Sequence, residues 1–154
     1  MFRLLRAGLV TAVTDGLFSS TLSVAAYGST VTRLFQGVAS VLLGQAAFDG
    51  GTRTAIIGVI MHVGVAFWWS AVFMWLIDRW SWLRTLRGKP HGIITIASVY
   101  GPFIWMVMSL IVIPPMTHRP PSITIRWWIQ FVGHILFVGV PIVMCIPPSS
   151  RGIR

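Results

Sequence analysis

Four long apolar stretches, each closed by a short cluster of proline, glycine and charge, set the pattern of this chain. They run over about 7–28, 54–77, 92–113 and 124–146. Each exceeds the roughly 20 residues that a helix needs to cross the hydrocarbon of a bilayer. The breaks read DGGTR at 49–53, RGKPHG at 87–92 and PPMTHRPPS at 114–122, and the chain closes on PPSSRGIR. This pattern predicts an all-α integral membrane protein, with four transmembrane helices forming a single bundle over 1–154.

Two stretches complicate the count. Residues 31–48, VTRLFQGVASVLLGQAAF, are apolar but slightly short for a span. Gly37, Ser40, Gly44 and Ala47 fall on one helical stripe there, which suits close packing against a neighbouring backbone. The tight link through Ser29 and Thr30 favours a re-entrant or interfacial helix over a fifth span. The first apolar stretch also has a rival reading as a signal peptide, with MFRLLR as basic n-region and SVAAYG as cleavage site. Asp15 interrupts what would be the continuous apolar core of such a peptide. The stretch therefore reads as a transmembrane helix with many hydroxyls, among them Thr11, Thr14, Ser19, Ser20, Thr21 and Ser23.

Composition fits the same solvent. Of 154 residues, 55% are hydrophobic and 10% charged, where a soluble domain carries about a quarter charged. The formal charge is +9, yet its basic residues sit at the ends of apolar stretches, where they meet lipid headgroups and not nucleic acid. With four spans, Arg3, Arg6, Arg79, Arg84, Arg87, Lys89, Arg151 and Arg154 lie on one side, and Arg33, Arg53, Arg119 and Arg126 on the other. That eight-to-four division predicts cytoplasmic termini. If 31–48 crossed fully, the split would be seven to five and the signal would mostly vanish. Trp75, Trp80 and Trp82 would mark the inner interface, and Trp127 and Trp128 the outer one. The single cysteine, Cys145, lies in an apolar stretch and reads as a packing residue.

Polar groups inside the spans are few. Ala55, Gly58, His62 and Ala66 share a helical face, so His62 is expected to point into the bundle between small residues. His134 occupies a similar depth in the fourth span, one turn after Gln130. Asp15 is ~12 Å from the inner side and His62 ~18 Å, a vertical gap of only ~6 Å. Asp15, His62, Gln130 and His134 thus form one expected intramembrane cluster. They either satisfy one another and fix the packing, or form a site in which His62 and His134 hold a haem or chlorophyll-type pigment, or a proton path. His91 and His118 fall in loops. Asp78 is expected to pair locally beside Arg79, and Asp49 to close a turn.

The run from Arg33 to Phe67 is similar to a pattern of an uncharacterised group of small bacterial four-helix inner-membrane proteins, QGxASxLLGxxAFxGGxxTAxxGxxxHxxxAF. Here it falls on Gln36, Gly37, Ala39, Ser40, Gly44, Ala47, Phe48, Gly50, Gly51, Gly58 and His62, with Asp15 upstream and Tyr100, Gly101 and Pro114 downstream. Ser109 stands where the pattern has an asparagine. The resemblance implies the architecture and a bacterial inner membrane, but no chemistry.

Enzymes lack their parts: there is no HExxH, P-loop, GxSxG or CxxC, and the carboxylates are Asp15, Asp49 and Asp78 alone. The expectation is a non-catalytic accessory or structural subunit of a larger inner-membrane complex, in contact with lipids and with other membrane subunits or a second copy of itself. The alternatives are a haem- or pigment-binding membrane protein and a small transporter or channel.

Overall fold

The computed structural model describes residues 2–148. Within them helices are the only regular secondary structure, and four helices are long and apolar enough to cross a membrane: α1 (Phe2–Ala26), α3 (Gly51–Arg79), α5 (Gly92–Thr117) and α6 (Ile125–Cys145). Between them lie α2 (Val31–Leu43), prolonged by a 3-10 turn Gly44–Phe48, and the short α4 (Ser81–Arg87). The expected spans match these helices, though α1 begins five residues earlier than the apolar pattern did. Arg151 and Arg154, which entered the charge count, lie outside the described residues.

Close helix contacts form where side chains are absent. A Cβ on Gly58 would run into the carbonyl of Phe35, so α2 lies directly on α3 there. A Cβ on Gly101 would run into the carbonyl of His134, and this contact joins α5 to α6. Around it sits the main core, with Trp69, Phe73, Ile77, Ala97, Tyr100, Ile104 and Ile142 buried. The Tyr100 hydroxyl donates to the Trp69 carbonyl at 2.7 Å and ties α5 to α3.

Helix irregularities are satisfied across the bundle. Pro141 has no N–H to offer the carbonyl of Phe137, one turn before it. Thr14 on α1 donates to that carbonyl at 2.7 Å instead. Three spans contain π-helical segments, at Leu22–Ala26, Val107–Val112 and Ile135–Gly139. The last begins directly after His134.

Several expectations are revised. The small stripe of 31–48 packs only at its far end, where Ala47 is fully buried: nothing would meet a Cβ at Gly37 or Gly44, and along α2 it is Gln36 and Ala39 that are buried. Gly44 serves another purpose, ending α2 at φ 60°, which a side chain strains to adopt. Trp127 is buried inside the bundle, not spread at an interface, and its indole N–H donates to Ser109 Oγ at 2.9 Å. The serine that departs from the resembled pattern therefore links α5 to α6. Asp78 does not pair with its neighbour alone. Arg3 reaches it from 75 residues away, at 3.0 Å.

The end that carries Arg3 is held by guanidinium groups. Arg3 also donates to the Pro147 carbonyl. Arg84 donates to the carbonyls of Ile77 and Asp78 at 3.1 and 2.9 Å, covering the last turn of α3. Arg87 does the same for α6, reaching Val143 and Met144 at 3.0 and 3.3 Å, and partial burial holds its pKa below the ordinary arginine value. Cations suit these helix ends, because the last carbonyls are unpaired and carry partial negative charge. Trp75, Trp80 and Trp82 are exposed beside them with Trp80 in ring contact with both others, as an aromatic belt would be.

Candidate functional site

α3 carries Ala55, Gly58 and Ala66 buried on one face, and this face turns His62 toward α1. Its Nε2 lies 3.0 Å from the Ala12 carbonyl. A carbonyl only accepts, so Nε2 carries the proton and Nδ1 is left to face Asp15 Oδ2, at 3.9 Å. That separation is too long for a direct hydrogen bond and suits an ion pair or a bridging water. A neutral imidazole would turn its Nδ1 lone pair on a carboxylate. A water that donates one hydrogen to each would satisfy both acceptors.

His134 is placed differently. Its Nδ1 donates to the Gln130 carbonyl one turn back, at 2.7 Å. This fixes the tautomer and leaves Nε2 as the basic nitrogen of the neutral ring. The ring packs against Trp105 of α5, with centroids 4.8 Å apart. Gln130 reaches Ser19 of α1 through Nε2 at 3.3 Å. Asp15, His62, Gln130 and His134 thus belong to three helices and are connected through two local pairings, Asp15 with His62 and Gln130 with His134.

All four residues line one cavity of about 870 Å³. Its walls are apolar side chains of α2, α3 and α5, including Phe35, Val38, Met61, Val65 and Met108. The far end is bordered by Arg33, Arg119 and Arg126 and by the proline-rich segment 114–121. Helix α2 packs along α3 and touches the end of α5, so it passes over this mouth. The volume is that of sites for drug-sized ligands, which span roughly 300–1,000 Å³. Asp15 and His62 keep 16% and 17% of their side-chain surface exposed, although both lie deep in their helices.

Three buried polar atoms of the cavity's residues have no partner within the described structure: Asp15 Oδ1, Trp105 Nε1 and Gln130 Oε1. Buried donors and acceptors rarely stay unpaired, because each forfeits its hydration without return. Thr11, Trp69 and Ser70 also hold such atoms, but none of them lines the cavity. Only the first three belong to residues that border open space, where a molecule could meet them after a small rotation of a side-chain end.

The guanidinium groups at the mouth differ in their commitments. Arg126 donates to Ser23 Oγ at 2.8 Å and lies over the Tyr27 ring. Arg33 lies over the Phe48 ring. Arg119 is exposed. No ion pair joins any of the three to a carboxylate among the described residues. Sequence reasoning counted these arginines as headgroup anchors and missed that they border the same cavity as His62. Their shared loop-end position was the signal that could have suggested it.

The residues fit a haem poorly as a bis-histidine site. His62 has one nitrogen committed to Ala12 and the other turned to Asp15, so ligation would break up the pair. His134 keeps Nε2 for a ligand. Among the described residues no three histidine, cysteine or carboxylate side chains are grouped to hold a metal ion. No family model matches this chain, and no curated protein or solved structure is similar to it.

Proposed function

We propose that this chain is a non-catalytic, membrane-embedded binding protein that takes a small molecule into the cavity between α1, α3, α5 and α6. One observation carries the reading: a single cavity of ligand size joins a buried polar group at mid-depth to three arginines at the mouth. Isolated polar groups are expensive at mid-membrane and are kept there for packing or for function. Had packing been the sole purpose, the space beside Asp15 and His62 would be filled. The non-catalytic part rests on the carboxylates. Asp78 is paired with Arg3, Asp49 ends a 3-10 turn, and Asp15 faces His62.

The location proposed is the bacterial inner membrane, with both termini in the cytoplasm and the mouth facing outward. The basic-residue division and the resemblance to the small inner-membrane group support it. A role as accessory subunit is favoured by a separate observation. Trp68 lies near the middle of α3 and is 66% exposed, and its indole N–H has no partner among the described residues. Lipid tails offer such a donor nothing, whereas a neighbouring subunit or a second copy of this chain can accept from it.

Native mass spectrometry of the protein released from its own membrane tests the binding reading. We expect a bound small molecule that survives mild activation. Gly37→Trp should eliminate it, because Gly37 lines the cavity and its Cβ direction is open. Protein that carries no such mass, or loses none on Gly37→Trp, contradicts the reading.

A further inference from the structure

The two ends of the cavity differ in what they would bind, and from this we infer the chemical class of the ligand, resting on the binding reading above. At the mouth, Arg33, Arg119 and Arg126 border the cavity and no carboxylate of the described chain pairs with them. Arg119 is exposed, while the Arg33 and Arg126 guanidinium groups lie over the Phe48 and Tyr27 rings, outside the lining, and must swing from them to meet a ligand. Guanidinium forks favour carboxylate and phosphate oxygens, and they are stronger beside low-dielectric walls than in water. In the middle the walls are apolar, with Val38, Met61, Val65, Met108 and Val112 among them. At the inner end, beside the donor Trp105 Nε1, the unpartnered atoms are two acceptors, Asp15 Oδ1 and Gln130 Oε1, each buried and reached only after a turn of its side-chain end. Both call for a donor from the ligand.

The geometry points to a bipolar molecule. It carries an acidic group at one end, an apolar body, and a hydroxyl or amino group at the other. The acid sits among the arginines and the donor reaches Asp15. Arg126 and His134 are eight residues apart on α6, which sets the distance between the ends at ~12 Å. A saturated chain of about ten carbons covers it. A simple fatty acid satisfies the mouth and leaves its methyl end against a carboxylate. An uncharged diol satisfies the inner end and leaves three guanidinium groups without an anion.

Three probes separate these contributions: ω-hydroxydecanoate, decanoate and decanediol, each titrated calorimetrically into the protein in nanodiscs, with empty nanodiscs subtracted. We expect ω-hydroxydecanoate to bind roughly tenfold more tightly than either of the others, since each lacks one charge-assisted contact. Arg119→Gln should weaken ω-hydroxydecanoate and decanoate and leave decanediol unchanged. Asp15→Asn should weaken ω-hydroxydecanoate and decanediol and spare decanoate. Equal affinity for all three probes, or no binding of ω-hydroxydecanoate, overturns the assigned class. If the natural bound mass is nevertheless seen and is lost on Gly37→Trp, the cavity reading survives that failure. If that mass is also absent, both fall.

Discussion

Gly101→Leu is expected to abolish the folded bundle, while Gly64→Leu leaves it intact. At Gly101 even a Cβ would run into the carbonyl of His134, so the obstacle is the backbone of another helix and not a side chain that can turn away. Gly64 is exposed on the same kind of apolar helix, and nothing lies within reach of its Cβ. Overpacking a core usually costs about 1–3 kcal/mol, and a backbone obstruction belongs at or above the top of that range. Thermal unfolding in detergent measures it. A Gly101→Leu protein that melts with the parent would mean that α5 and α6 are further apart than described.

His62→Leu should rank next. It removes the partner of Asp15 and the donor to the Ala12 carbonyl together. Leaving a buried polar group without its partner costs about 1–3 kcal/mol, more for a charged one, so a loss of about 3 kcal/mol is expected here. His62→Gln keeps a donor and should cost about 1 kcal/mol, near the usual worth of an intramembrane polar contact. The double substitution Asp15→Leu with His62→Leu should recover stability relative to His62→Leu alone, because no carboxylate is then stranded. Equal losses for His62→Leu and His62→Gln, or no recovery in the double variant, would show that Asp15 does not depend on His62.

The features legible in the sequence are those set by solvent. Four apolar runs longer than a bilayer is thick predict helices able to cross it, and the four helices long and apolar enough to do so fall on them. The inward aim of His62 was equally legible, because Ala55, Gly58 and Ala66 mark one face by their size alone. Pairings set by tertiary packing were not. Asp78 has Arg79 as its neighbour, and nothing local indicates that Arg3 would reach it from the far end of the chain. Trp127 and Trp128 are indistinguishable as residues, yet one helix rotation buries the first on Ser109 and exposes the second. The stripe of 31–48 misled except at Ala47, which is buried, and for a related reason. Small residues mark a close approach only where a helix lies opposite, and Gly37 instead borders open space. The cavity itself has no sequence signature, since it arises from how α2 passes over the ends of α3 and α5.

The central claim is that the polar group at mid-depth communicates with the arginine-bearing mouth. Gly16 is its most direct reporter, because it lines the cavity and its Cβ direction ends 3.5 Å from His62 Nε2, an ordinary contact. With Cys145 replaced by alanine, Gly16→Cys is exposed to a charged, membrane-impermeant thiol reagent on intact cells. Val99→Cys, 69% exposed on the outer surface of α5 and away from the cavity, serves as the lipid-facing control. We expect Gly16→Cys to react from outside, and excess ω-hydroxydecanoate to slow it. Val99→Cys should stay unmodified, since a thiol in lipid meets no charged reagent. A Gly16→Cys thiol as inert as Val99→Cys, from either side of the membrane, would contradict the account.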